Sequence, residues 1–273
     1  MLSILKNAGP GSITYYVGDN PNHISHLKDC KLYCKEKFDI DDSVEQIIVD
    51  NPQLEFYKLS HTIENEYNFH PNGGIYKIGV NCSIHPTAVI ADGVIIGDNV
   101  TIGPNSVIYA KTKIGNNVRI DSNVTIGTEG MMWVWDGNDK VFLKQLGGVI
   151  IGDGCIIGSN SAIVRGSANE YTILEDGVNM APGCCVGHGT YIGKNVHFAN
   201  NVTIGGSVHI SDYNFVGCGA IINPGVKITE SDVVIGAGTT LTKSISEAGV
   251  YFGLPAKRIK KVTGKLSGMP TWR

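Results

Sequence analysis

Isoleucine stands at positions 78, 84, 90, 96, 102, 108, 114, 120 and 126, nine consecutive hexads. Two places before most of them sits a small or β-branched residue, among them Cys82, Ala88, Val94, Val100, Ser106, Thr112, Val118 and Val124. Such shapes suit a tight inward-facing position on a strand. The period resumes at Ile151, Ile157 and Ile163, runs again from Leu174 through Met180, Val186, Ile192, Phe198, Ile204, Ile210, Val216, Ile222 and Ile228, and ends one residue out of step at Ile235 and Leu241. A helix spaces apolar residues by three and four, and a simple strand alternates with period two, so neither sustains a period of six. Short strands joined by tight turns do, with Gly and Asn at the turns (GDN, GNN, GKN) where positive φ is least costly. The pattern predicts a mainly β chain wound as a parallel β-helix.

Two interruptions stand out. Between Ile126 and Ile151 the chain inserts TEGMMWVWDGNDKVFLKQLGG, which holds Trp133, Trp135 and Phe142. This extruded loop, at about 127–148, is expected to form a wall of a binding site, the plainer alternative being a surface excursion pinned by its own aromatics. The second insert, RGSANEYT, opens with Arg165, a candidate phosphate contact against the plainer reading of an exposed turn arginine. Residues 1–76 lack the repeat, and their mixed runs (SITYYV, CKLYCKE, VEQIIVD, LEFYKLSHTI) read as a separate small α+β domain. The solenoid is expected over 77–242 and a tail over 243–273.

Composition narrows the class. With 42% hydrophobic and 17% charged residues the chain is not disordered, and 10 Pro with no Gly-X-Y period exclude collagen. A formal charge of -3 gives no electrostatic case for nucleic acid or a membrane surface as main partner. No apolar run reaches the length needed to span a bilayer, and MLSILKNAGPGS lacks a signal-peptide core, so a cytoplasmic location is expected. Seven Cys, an odd number, fit a reducing compartment. Cys82, Cys155 and Cys184 fall at the inward position and are expected in the core, not as nucleophiles. His23, His26, Cys30 and Cys34 in HISHLKDCKLYC raise the question of zinc, but KLYCKE reads as a strand and the spacing fits no tight structural zinc pattern, so no metal is expected.

The repeat resembles that of the hexapeptide acyltransferases, which implies a left-handed triangular prism with three hexads per coil. Stacked at ~4.8 Å, about eight such coils give a solenoid of roughly 40 Å, in which residues 18 apart lie one above the other. Over nearly its full length the chain is similar to the UDP-3-O-acylglucosamine N-acyltransferases. AGPGSITYY with NPNHISHLKD resembles the family's nucleotide-binding N-terminal domain, CSIHPTAVIADGVIIGDNV its helix entry, and VTIGTEGM, FLKQLGGVIIGDG and SAIVRGSANEYTIL its interruptions.

The resemblance implies a single His general base, which falls on His188 in CCVGHGTYIG. That residue is two after the inward Val186, so its ring should point outward at a coil corner, whereas His197 and His209 sit on strand faces. Eighteen residues on is Gly206 in TIGGSVHI, matching the position whose backbone N–H serves the family as oxyanion donor. Direct transfer without an acyl-enzyme follows. The family sandwiches uracil between two aromatics flanking an Asn-Pro pair. Tyr15 or Tyr16 matches the first, Asn20 the Asn, and His23 stands where the second would be.

Departures bear on the substrate. Ala181-Pro182 replaces the family's usual Asp-Asn, and Gly225 stands at a second active-site His. GVYFGLPAKRIKKV resembles the ending of acetyl-CoA users in place of a long helix that engages acyl carrier protein, and makes Lys257, Arg258, Lys260 and Lys261 candidates for coenzyme A phosphates. The expected activity is N-acylation of a UDP- or dTDP-linked amino sugar for surface polysaccharide or lipopolysaccharide synthesis, with a short acyl group from acyl-CoA, acetyl-CoA being favoured, by a homotrimer with active sites between subunits. Alternatives are a long-chain donor on acyl carrier protein, O-acetylation of a sugar, and a silent trimeric scaffold. A γ-type carbonic anhydrase is disfavoured, since no two His are five apart.

Overall fold

The computed structural model describes residues 1–64 and 75–260; Lys261 lies outside the described residues. It divides into two compact units. One comprises Met1–Asn68, Glu129–Gly147 and Gly166–Glu170, the other Phe69–Thr128, Gly148–Arg165 and Tyr171–Arg273.

The second unit is the parallel β-helix that the period of six predicts, of the left-handed kind that the resemblance implies. Its described strands form three sheets of eight, ten and eight, parallel throughout except for the last strand. The first face runs from Lys77–Ile78 to Lys227–Ile228, and the third from Val89–Ile90 to Thr240–Leu241. The second runs from Ser83–Ile84 to Val234–Ile235 and is extended by Val250–Phe252 and the antiparallel Lys257–Lys260. Residues 18 apart pair, as in Ile78↔Ile96, Val186↔Ile204 and Ile204↔Ile222. The inward isoleucines are stripped of solvent, as at Ile108, Ile120, Ile126 and Ile163 (each 0% exposed). Each such side chain contributes roughly 1.5–3 kcal/mol of transfer free energy.

The small residues two places earlier are buried as well, with Val94, Val100 and Val124 at 0%. Cys155 and Cys184 share that setting. Burial pushes the Cys155 thiol up to about 11 and raises that of Cys184, which keeps both protonated and inert. Cys82 differs from expectation: it lies in the first coil beside the 47%-exposed Ile78 and is only half-buried. At the corners the chain turns through the left-handed region, chiefly on Gly and Asn, for example Asn99, Asn117, Asn123 and Asn201 (φ 56–59°).

In the first unit, β1 (Ile13–Tyr15), β2 (Lys31–Cys34) and β3 (Glu45–Ile48) form a parallel sheet in the order β1-β2-β3. Helix α1 (Pro52–Glu64) is capped by the Asn51 side chain, which accepts from the Leu54 N–H at 3.1 Å, and it buries Leu54, Phe56 and Tyr57. Cys30 and Cys34 are packed into the core with Ile24, Leu27, Leu32 and Phe38. The insert after Ile126 contains an antiparallel hairpin, Trp133–Asp136 with Asp139–Phe142, and lies against α1. Lys58 pairs with Asp136 at 2.9 Å, His61 Nε2 lies 2.7 Å from the Phe142 carbonyl, and the Lys144 N–H donates to Ser60 Oγ at 2.9 Å.

Candidate active site

The strand Cys185–Val186 lies on the third face, and from it the chain turns through Gly187–Thr190 onto the first. His188 sits half-buried at this corner, as its place two after an inward valine predicts. The other solenoid histidines are elsewhere. His197 stacks on Phe215 on the second face, with ring centroids 5.4 Å apart and planes at 4°, and burial lowers its pKa. His209 stacks with Tyr191 on the first face at 4.9 Å and 8°, its pKa lowered by burial first and by Lys227 second.

The His188 imidazole lies over Gly206 on the following coil. A Cβ at residue 206 would come within 2.6 Å of His188 Cδ2 and 2.8 Å of Cε1, so only glycine leaves the ring in place. Gly187 is needed for the same closeness of backbones, since a Cβ there would lie 2.5 Å from the Gly206 nitrogen. The coils are tied by Ser207 N–H donating to the His188 carbonyl at 2.7 Å and Gly225 N–H donating to the Gly206 carbonyl at 2.9 Å. The Gly206 N–H meets no acceptor among the described residues. A side-chain base and an uncommitted backbone donor thus share one small patch, the arrangement that transfer through a tetrahedral oxyanion requires.

Arg165 lies at the same corner on the preceding coil, since Ile163 pairs with Val186. It is not an exposed turn residue: it is 5% exposed and its guanidinium lies 5.7 Å from the Tyr109 ring. Lys111 is close enough that, after desolvation, the Arg165 charge is the second cause lowering its pKa. Tyr109 and Lys111 gave no signal in the sequence because the insert separates them from Arg165; stacking of coils brings them together.

In the N-terminal unit, Tyr16 is 7% exposed and its hydroxyl lies 3.2 Å from His23 Nδ1 and donates to the Asn20 carbonyl at 2.9 Å. The Tyr16 and His23 rings stand edge to face (6.3 Å, 88°), so this pair closes on itself and leaves no parallel-sided slot. Tyr15 packs on Phe56 at 4.9 Å, and its hydroxyl is pushed up to about 12 by burial first. The Asn20 side chain accepts from the Asn22 N–H at 3.0 Å. Trp133 and Trp135 share one hairpin face, edge to face at 4.9 Å, and Lys140 lies 4.4 Å and 5.4 Å from their ring centres. Within the β-helix, Lys257, Arg258 and Lys260 are on the last strand of the second face, away from the His188 corner. Arg258 pairs with Glu247 and donates to the Ala248 carbonyl at 2.8 Å, whereas Lys257 is exposed with no ion pair among the described residues.

Two family models match the repeat: bacterial transferase hexapeptide (six repeats) over residues 76–110, and hexapeptide repeat of succinyl-transferase over residues 148–168. A UDP-3-O-acylglucosamine N-acyltransferase of Coxiella burnetii is 30% identical over 92% of this chain and 80% of its own length. The chain belongs to that family. It is an acyltransferase of the hexapeptide-repeat class. The relative from Delftia acidovorans is 36% identical over 131 residues, 48% of this chain and 38% of the relative. Among solved structures, the UDP-N-acetylglucosamine acyltransferase of Campylobacter jejuni shares the fold, with a TM-score of 0.58 and 24% identity over 70% of this chain and 74% of that one.

Proposed function

We propose that this acyltransferase moves an acyl group onto the amine of a nucleotide-linked amino sugar by direct attack on a thioester. The amine nitrogen forms a bond to the carbonyl carbon while His188 accepts its proton. The oxyanion is held by the Gly206 N–H, and the carbon–sulfur bond then breaks as His188 returns the proton to the departing thiol. The observation that carries this reading is the His188 imidazole seated over Gly206, whose N–H has no described acceptor. The family of the Coxiella relative supports an amine on a UDP-linked sugar as the acceptor.

The donor we propose is a short acyl-CoA, acetyl-CoA first, with the exposed Lys257 among the residues meeting its phosphates, together with Lys260 and Lys261. Arg258 is committed to Glu247 and contributes less. The acting form is a homotrimer in the cytoplasm, serving surface polysaccharide or lipopolysaccharide synthesis. In the N-terminal unit, Tyr15, Tyr16, Asn20 and His23 are proposed to hold the base after the His23 ring turns out, and Trp133 and Trp135 to contact the sugar nucleotide. In the β-helix, Arg165 is proposed as a phosphate contact.

The test is thiol release from acetyl-CoA with a panel of UDP- and dTDP-linked 3-amino and 4-amino sugars, run with His188→Ala as control. Release that needs one amino sugar and His188 is expected. Transfer from an acyl carrier protein thioester alone would overturn the CoA donor, and release unaffected by His188→Ala would overturn the base. Sedimentation at a mass other than three chains would overturn the trimer.

A further inference from the structure

The donor peptide of the proposed oxyanion site is Gly205–Gly206, and it carries no side chain on either side. A Cβ at residue 205 would meet Pro224 Cδ at 2.7 Å, and one at 206 the His188 ring, so both glycines are imposed by close packing. With no Cβ to resist rotation, this peptide unit is the one at the corner most free to swing its N–H away from the reacting atoms. Its carbonyl is held: the Thr190 hydroxyl, fully buried, donates to the Gly205 oxygen at 2.9 Å. Since the Gly205 carbonyl and the Gly206 N–H belong to one planar unit, fixing the first aims the second.

Thr190 occupies the inward turn position two before Ile192. At the same place on the next two coils stand Val208 and Val226, so the scaffold accepts an isosteric valine there. A hydroxyl at this position is therefore not a demand of the fold. Elsewhere a hydroxyl makes the same bond without any active-site neighbour: Ser106 donates to the Asp121 carbonyl at 2.8 Å on another corner.

We propose that Thr190 is a positioning residue of the acyltransferase, which orients the Gly206 N–H through the Gly205 carbonyl. This rests on the assignment of His188 and Gly206 given above. Removing an oxyanion donor outright costs roughly 10²–10³ in kcat, and loosening one is expected to cost less, on the order of tenfold.

The experiment compares Thr190→Val, Thr190→Ser and Ser106→Ala in the thiol-release assay, alongside a crystal structure of the full-length Thr190→Val protein. Expected are a kcat about tenfold lower for Thr190→Val with KM and the pH profile unchanged, recovery in Thr190→Ser, no loss in Ser106→Ala, and a rotated or doubly placed Gly205–Gly206 peptide. A Thr190→Val enzyme of full kcat, an equal loss in Ser106→Ala, or an unmoved peptide in the Thr190→Val structure overturns the proposal. His188→Ala separates the two layers. If it leaves activity intact, the site assignment fails; if it abolishes activity while Thr190→Val does not lower kcat, only the role of Thr190 fails. The crystal structure decides the positioning claim even where no substrate in the panel is turned over.

Discussion

Two corners of the prism use one backbone turn for opposite ends. At five turns of the first-to-second corner the N–H of the second turn residue is closed by a side chain from the next coil. Val80 donates to Asp98 Oδ1 at 2.8 Å, Asp98 to Asn116 at 2.9 Å, Asn116 to Asp153 at 2.7 Å, Asp153 to Asp176 at 3.0 Å and Lys194 to Asp212 at 2.8 Å. At the third-to-first corner the same turn position is filled by His188, Gly206 and Pro224. Gly206 has no side chain, and the proline that follows it in the stack has no acceptor to give. The Gly206 N–H is left open by the removal of the ladder that closes its counterparts. A backbone donor without a partner lowers stability, so the comparison separates a corner whose turn donors are closed from one where a donor stays open.

The hardest way to break the contrast is to remove the proposed base. His188→Ala is expected to lower kcat by roughly 10²–10⁴-fold with an unchanged circular dichroism spectrum; activity within twofold of the parent would remove His188 from the reaction. Gly206→Ala comes next. Its Cβ enters the space of the imidazole, and a loss of roughly 10²-fold is expected from displacement of base and donor together, visible as rotation of the ring in a crystal structure. Pro224→Asp transplants the closed corner's device onto the open one. A carboxylate there accepts the Gly206 N–H, so kcat is expected to fall about tenfold while thermal stability holds or rises. A fully active Pro224→Asp protein would mean that this N–H is not used.

The reverse exchange, Asp212→Ala, removes the acceptor of Lys194 N–H and is expected to cost about 1 kcal/mol in denaturant unfolding with no change in kcat. The smallest effect concerns the strand faces. Burial depresses the pKa of His197 and of His209 below their unfolded value. The folded state therefore binds fewer protons than the unfolded chain just below an unfolded pKa of about 6.5. Stability from these groups is present above that pH and lost as pH falls through the folded values. His197→Phe, which continues the stack on Phe215, is expected to reduce the fall in melting temperature between neutral and mildly acidic pH. An identical acid-side slope would show that the stacked pair does not titrate in that range.

How far the site was legible follows from which residues the period governs. His188 and Gly206 lie 18 apart inside an unbroken run of hexads, so sequence spacing translates directly into contact, and the expected corner was found. Arg165 was visible as a residue type but not as a buried one, because the insert before it breaks the register that would have placed Tyr109 and Lys111 beside it. Tyr16 and His23 lie in a unit with no repeat. Their edge-to-face contact depends on the turn Pro21–His23 and on the packing of Tyr16 against Phe38, neither of which a spacing argument reaches. Thr190 carries no signal in the sequence, because threonine and valine have nearly the same shape and either fits the inward turn site.

The sequence by itself determined the β-helix and the pairing of its coils, because a period of six repeated this often admits one way of turning these isoleucines toward a common interior. It also determined the outward corner for His188, since a turn residue two after an inward one has no interior to occupy. Tertiary structure alone decided that the aromatic hairpin lies with α1, that Arg165 is buried, and that the Gly205 carbonyl is held by Thr190 while the N–H of the same peptide stays open. These turn on single contacts of a few ångströms between segments whose spacing follows no period. They are set by which polar groups find partners once the coils are stacked.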